Sequence, residues 1–253
     1  YVVGGAVRDI LLSRPLKDID ILVRKVKISD LEKFLQSHGK VDIVGKRFSV
    51  LKFLPKGAKK QLDIAIPRLD FSFGTGGYKD VKVKSDPNLP IEEDLARRDF
   101  TVNAMALTQQ STISNQQSAY KIIDFFNGQK DLENKTIRAV AEPEERFNED
   151  ALRMLRAVRF AVELGFQIEP KTFKAIQKNA GWLQAIAKER IRDELIKIIM
   201  SDMPEQGIEL LRETGLLKYV IPELEKGVGM SQNKHHIYTI YQHSILSLKY
   251  AAK

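Results

Sequence analysis

The chain has 253 residues, 43% of them hydrophobic, with a formal net charge of +8 and no cysteine. That is long enough to bury a core and more than one average domain needs, and the missing cysteines exclude disulfides and thiolate metal sites and fit a reducing, cytoplasmic setting. No apolar run approaches the roughly 18 residues of a membrane span, so no membrane is expected, while the basic balance favours a polyanionic partner such as nucleic acid over an ordinary basic surface only weakly.

In chain order, Tyr1–Val3 reads as a strand, Gly4–Gly5 as a tight turn and Ala6–Ser13 as a short helix stopped before Pro15. Ile19–Val23 reads as a strand and Ser29–Ser37 as a helix capped by Ser29. Val41–Val44, Ser49–Leu54 and Gln61–Ile66 follow as strands. Phe71–Asp86, with Gly74, Gly76 and Gly77, reads as a flexible loop. Leu95–Leu107 is expected to be helical, and Lys121–Asp124 a further strand. From Asn148 onward the pattern becomes helical, over Glu149–Glu163, Pro170–Asn179, Lys188–Met200 and Pro204–Glu213. Gly165, Gly181 and Gly215 fall where helix C-caps belong. The first residues do not read as a secretory signal. The chain opens on a strand and stops within a helical stretch, so both ends read as trimmed, as in a fragment.

Asp18 and Asp20 flank one residue at a strand entry. Strand side chains alternate faces, so the two carboxylates point the same way. Like charges so placed repel unless a cation lies between them, and hard Mg²⁺ favours such oxygen ligands. Asp63, on another strand, is a candidate third carboxylate. Alone, an Asp-x-Asp is more readily a surface strand with two solvated acids. The Gly4–Gly5 turn alters that weighing. Glycines allow a sharp turn and close approach, and the following helix start favours phosphate, with Arg8 one turn in as a partner.

Three segments carry a family pattern. Val3–Asp9 (VGGAVRD) with Arg14–Asp20 (RPLKDID), then Arg97–Ala106 (RRDFTVNAMA), then Glu149–Phe160 (EDALRMLRAVRF) occur in this order. Together they resemble the motifs of class II tRNA nucleotidyltransferases and bacterial poly(A) polymerases, and the likeness covers nearly the whole chain. The resemblance implies an α+β fold. A polymerase-beta-like nucleotidyltransferase head with a mixed or antiparallel sheet (residues 1–135) would precede a helical neck (136–203) and a helical body (204–253). It implies Mg²⁺, with CTP and ATP as substrates and the tRNA 3′ end as the partner that receives C and A without a nucleic-acid template. Carried over, Asp18 and Asp20 are the metal ligands, with Asp63 as a third candidate. Gly5 and Arg8 contact the nucleotide's phosphate and sugar. Arg98 and Asp99 sit by the sugar and triphosphate, although Asp99 serves as readily to lock head to neck. Asp150 and Arg153 read the base edge, and Arg156 and Arg159 support them or hold phosphates.

Side chains can imitate a base pair. A carboxylate accepts from the exocyclic amine that cytosine and adenine share, and a guanidinium donates to ring nitrogens or carbonyls. Uracil and guanine present a carbonyl there, and leaving that site unpaired costs about 1–3 kcal/mol. On one continuous helix, Asp150, Arg153, Arg156 and Arg159 would drift about 60° per step and rise roughly 13 Å. Asp150 and Arg159 would therefore not meet the same base edge.

In this family a flexible loop between the first two motifs accompanies addition of the terminal A, and Phe71–Asp86 fits such a loop. Ile43–Phe48 partly resembles the poly(A) polymerase version of its segment, so an A-adding enzyme or a poly(A) polymerase is the alternative. A non-catalytic RNA-binding relative is a second alternative, disfavoured by the paired acids. His235, His236 and His243 could open an HD-type metal domain, but without downstream ligands they read as surface or packing residues. Trp182 reads as core rather than as a base-stacking platform.

Overall fold

The computed structural model describes residues 1–16, 18–44, 50–72, 81–110, 119–232 and 237–251. They divide into two compact units, one of Tyr1–Phe71 and Lys82–Asn134, the other chiefly Lys135–Lys253.

The first unit is built on a seven-stranded sheet. Its strands are β1 (Val2–Val3), β2 (Asp20–Leu22), β3 (Gly39–Val44), β4 (Val50–Pro55), β5 (Leu62–Ala65), β8 (Met105–Gln110) and β9 (Ala119–Asp124), in the order β3-β4-β5-β2-β1-β8-β9. β2 and β5 run parallel, and the other pairings are antiparallel. Four helices accompany the sheet: α1 (Gly5–Leu11), α2 (Ile28–His38), α3 (Ile91–Ala96) and α4 (Gly128–Glu133). Alternation along β4 buries Leu51 and Phe53, which pack with Leu31 and Leu35 of α2 and with Ile64 and Ile66. A second cluster joins Val3, Leu22, Ile91, Leu95 and Ala106. Both clusters hold β1, β2 and β5 in place, and β2 and β5 carry Asp20 and Asp63. β6 (Arg68–Ser72) and β7 (Val81–Ser85) form a separate two-stranded ribbon.

In the second unit, β10 (Thr136–Ile137) pairs in parallel with β11 (Gln167–Ile168). The helices are α5 (Pro143–Glu149), α6 (Leu152–Leu164), α7 (Pro170–Asn179), α8 (Lys188–Ile199), α9 (Pro204–Glu213), α10 (Leu217–Val220), α11 (Pro222–Lys226) and α12 (Ile240–Ala251). α6 is the axis. Met154, Leu155, Ala157 and Val158 are fully buried, and α8 and α9 pack against it. It ends at Gly165, whose φ of 67° is the left-handed conformation glycine adopts at little cost.

Several expectations need correction. Leu95–Leu107 is not one helix: α3 stops at Ala96, a 3-10 turn spans Thr101–Asn103 and β8 begins at Met105. The Asp99 carboxylate accepts the Phe100 N–H (2.8 Å), a local bond that competes with helical pairing. Glu149–Glu163 is likewise broken. Asp150 stands extended between α5 and α6 (φ −155°, ψ 102°), and its carboxylate accepts the N–H of Leu152, two residues on, at 3.2 Å. The N-cap of α2 is Lys27, with Ser29 inside the helix. Gly181 lies within a 3-10 helix at Ala180–Ala185 rather than at a C-cap. The flanks of the expected Phe71–Asp86 loop are the strands β6 and β7; Gly74, Gly76 and Gly77 lie outside the described residues, as do Gly45–Phe48 and His235–His236. Trp182 is half-buried and His243 is exposed on α12.

Candidate active site

In the first unit the site grows from the turn between β1 and α1. Gly4 has φ 73° and ψ −140°. Its N–H donates to the Met105 carbonyl (3.2 Å), and its own carbonyl accepts from Val7 and Arg8 (3.1 and 3.4 Å). A Cβ built at Gly4 would lie 2.6 Å from Nη1 of Arg98 and 3.5 Å from Oδ2 of Asp20. A guanidinium and a carboxylate thus close on one bare backbone position. Gly4→Ala is expected to destabilise the fold by about 1–3 kcal/mol through backbone strain and to displace Arg98. The check is a lowered Tm together with weakened nucleotide binding.

Strand register brings the acids together. Asp20 pairs with Val3 on one side and with Asp63 on the other. Asp18 and Asp20 are exposed, with Ile19 more covered between them. The Asp20 carboxyl is held above the ordinary carboxylate range. Partial burial is the first cause, Asp63 and Asp18 add like-charge repulsion, and Arg98 opposes the rise. Asp63 Oδ1 lies 3.5 Å from the ammonium of Lys52, its neighbour on β4. Among the described residues no three His, Cys, Asp or Glu side chains already converge as a metal-binding group. The donor set nevertheless suits a hard cation: Asp18, Asp20 and Asp63 lie near enough to one another for their like charges to repel.

The arginines are held from behind. Asp94, fully buried on α3, accepts from Nε and Nη2 of Arg97 (3.0 and 2.8 Å) and from Nη2 of Arg98 (3.3 Å). Among the described residues Nε of Arg98 is buried with no hydrogen-bond partner. Burial also lowers the proton affinity of this guanidinium, with Asp94 opposing that shift. A buried donor left unsatisfied is costly. Arg8 donates from Nη1 to Oδ1 of Asn103 (2.8 Å) and from Nε to Asp9 (2.9 Å). Asn103 in turn donates to Asp99 (3.2 Å). Asp99 therefore reaches Arg8 through Asn103. Gly5 lies beside the same guanidinium, where a Cβ would sit 3.4 Å from Nη2 of Arg8.

In the second unit, Glu149 at the end of α5 gathers two arginines. Its oxygens lie 2.6 Å from Nη2 of Arg146 and 2.6 Å from Nη1 of Arg153. Asp150 is paired with Arg190 of α8 through both oxygens (3.2 and 2.8 Å). Arg159 is drawn into the packing: it donates to Glu194 at 2.6 Å and Glu163 at 2.9 Å, and its guanidinium lies 4.0 Å from the Phe160 ring centroid. Arg156 also overlies Phe160, at 5.3 Å. The break at Asp150 replaces the continuous helical row with two parts, an extended carboxylate and an α6 arginine series that turns inward by Arg159.

Asp94, Asn103, Glu149, Arg190 and Glu194 were not among the expected site residues. Asp94 was findable, because Arg97 and Arg98 stand three and four positions on, a spacing that brings an acid and bases together on a helix. Arg190 and Glu194 lie about forty residues from their partners, beyond any local signal.

Comparison with known proteins gives two family matches. Residues 1–138 match the family described as Poly A polymerase head domain, and residues 165–227 match that described as Probable RNA and SrmB-binding site of polymerase A. The chain is 40% identical over 222 residues to the CCA-adding enzyme of Ligilactobacillus salivarius, covering 87% of this chain and 50% of that one. It is 38% identical to that of Geobacillus stearothermophilus, with the same coverage. Among solved structures, it resembles Bacillus stearothermophilus CCA-adding enzyme in complex with CTP (TM-score 0.74, 36% identity, 90% of this chain and 52% of that one). It also resembles a tRNA nucleotidyltransferase complexed with a primer tRNA and an incoming ATP analog (TM-score 0.69, 30% identity, 93% of this chain and 61% of that one). The chain spans about half the length of the curated relatives it matches.

Proposed function

We propose that this chain, which belongs to the tRNA nucleotidyltransferase and poly(A) polymerase family, adds C and A to the 3′ end of tRNA from CTP and ATP, releasing pyrophosphate. The observation that carries this reading is the approach of Asp20 and Arg98 to the bare backbone of Gly4, with Asp18 and Asp63 near enough to act on Asp20. It combines acids for a cation with a buried guanidinium for phosphate. In this reading a head over residues 1–135 is followed by a neck (136–203) and a body (204–253), and the protein works in the cytoplasm.

The family implies a divalent metal, and we assign it as Mg²⁺ held by Asp18 and Asp20, with Asp63 as a further donor once freed from Lys52. Mg²⁺ supplies Lewis-acid polarisation of the phosphate and activation of the attacking 3′ hydroxyl. The chain's residues do the positioning. Arg98, braced by Asp94, offers donors to the triphosphate, with Asp99 behind the Asn103 that steadies Arg8. Arg8 and the Gly4–Gly5 turn hold phosphate and sugar, Gly5 keeping that approach open. Asp150 accepts from the amine of cytosine or adenine, and Arg153, oriented by Glu149, donates to the ring. Arg156 and Arg159 support that pair, Arg159 by tying α6 to α8 through Glu194. The helical unit holds the tRNA by backbone and shape, since one enzyme must accept many tRNAs.

Separate incubations of the full-length protein with Mg²⁺ and CTP or ATP, on tRNAs ending before or after the two Cs, test the reading. Incorporation of C onto the first and of A onto the second is expected. ATP use alone identifies an A-adding enzyme, and long A tracts a poly(A) polymerase. No incorporation of either contradicts an enzymatic role.

A further inference from the structure

Asp150 is gripped from a helix forty positions away. Arg190, in the first turn of α8, donates from Nη1 to Oδ1 (3.2 Å) and from Nη2 to Oδ2 (2.8 Å). The Leu152 N–H supplies a third bond, also to Oδ1, at 3.2 Å. An ionised carboxylate has about four acceptor positions, two on each oxygen. Among the described residues Oδ1 is therefore filled, and Oδ2 keeps one. The Asp150 side chain retains 18% exposure, so it stays within reach of a ligand. A fixed carboxylate with one open acceptor position is complementary to a single N–H. The exocyclic amine of cytosine or adenine offers one, and the carbonyl of uracil or guanine does not.

We infer that Arg190 is a positioning residue for nucleotide choice: its bidentate grip sets the direction of the one acceptor position that Asp150 leaves open. This rests on the proposed role of Asp150 in reading the base. A carboxylate held at a single point can swing about its bond, whereas a planar fork bound to both oxygens fixes the plane as well. α8 is a firm support for such a grip. It packs on α6, with Ile198 buried, and one turn beyond Arg190 its Glu194 holds Arg159 of α6 at 2.6 Å. The helix that orients Asp150 is thus tied to the helix that carries Arg153. Without the fork, Asp150 can turn an oxygen away from a base carbonyl, and the penalty against uracil and guanine falls.

The experiment measures kcat/KM for CTP, UTP and GTP on a tRNA lacking the CCA end, and for ATP on a tRNA ending in the two Cs. It uses the full-length protein and the variants Arg190→Gln, Arg190→Lys and Asp150→Ala, with melting curves for each. Asp150→Ala provides the reference loss of discrimination. Arg190→Gln is expected to lower the CTP-to-UTP ratio by roughly tenfold, and Arg190→Lys, which keeps the charge but not the fork, by less. A CTP-to-UTP ratio that stays native in both Arg190 variants while Asp150→Ala lowers it overturns the inference and leaves the role of Asp150 standing. A common fall for all four nucleotides with the ratio intact marks a merely structural residue and overturns it equally. If Asp150→Ala itself leaves the ratio unchanged, the base-reading role fails, and that of Arg190 with it. Should Arg190→Gln not fold, the same comparison is read from Arg190→Lys, which retains the ion pair.

Discussion

Asp18→Ala and Asp20→Ala are each expected to lower nucleotide transfer by a factor on the order of a thousand while tRNA binding survives. Equal loss of transfer and binding would contradict their assignment as metal ligands. Asp20 adds a pH signature. Its folded-state proton affinity is raised, by partial burial first and then by Asp63 and Asp18. A carboxyl raised in this way contributes stability below its unfolded value of about 3.9, and that contribution is lost as pH rises through the higher folded value. The metal-free protein should therefore gain stability from Asp20→Asn above that window and not below it. Divalent metal competes with the same proton. Mg²⁺ should raise the native Tm more at neutral pH than at mildly acidic pH, and should fail to do so in Asp20→Asn. Thermal unfolding with and without Mg²⁺ across the acid range checks both signs.

Asp150→Ala and Arg153→Ala are expected to relax the choice of nucleotide. The loss corresponds to one base-edge hydrogen bond each, about 1–3 kcal/mol, or roughly a 5- to 150-fold fall in discrimination against UTP and GTP. The two changes should not act alike. In the proposed reading Asp150 carries the acceptor that distinguishes an amine from a carbonyl, so its loss should chiefly admit UTP and GTP. Arg153 is set by Glu149 at 2.6 Å, and its loss should weaken CTP and ATP use directly. An unchanged preference for C and A in both variants would refute selection by side chains. Single-nucleotide incorporation rates with all four triphosphates give the comparison.

The features visible in the sequence were those written locally. The strand, double glycine and paired acids at the start, and α7 and α9 with prolines in their first turns, carry signals within a few residues of themselves. The two broken helices share one cause, a side chain that outcompetes the backbone pattern. Asp99 caps Phe100 and ends a stretch that reads as helical. Asp150 caps Leu152 and splits a segment whose periodicity runs on without pause. That split matters for the site, because it moves Asp150 off the helix face shared by the arginines. The partners that orient the candidate residues were mostly hidden. Asp94 and Glu149 lie at spacings that periodicity would mark, while Arg190 and Glu194 meet their partners through the packing of α8 on α6. Parallel pairing of β2 with β5 likewise decides that Asp63 stands beside Asp20, a register set by the sheet as a whole.

The central claim is that the protein itself, without a nucleic-acid template, selects C and A and joins them to tRNA. The most direct measurement gives the full-length protein a tRNA lacking its CCA end, Mg²⁺ and equal concentrations of all four triphosphates, then sequences the extended 3′ ends. Ends reading C, C, A, with U and G at background, are the predicted result. U or G incorporated on a par with C and A, or tRNA left unextended, would contradict it.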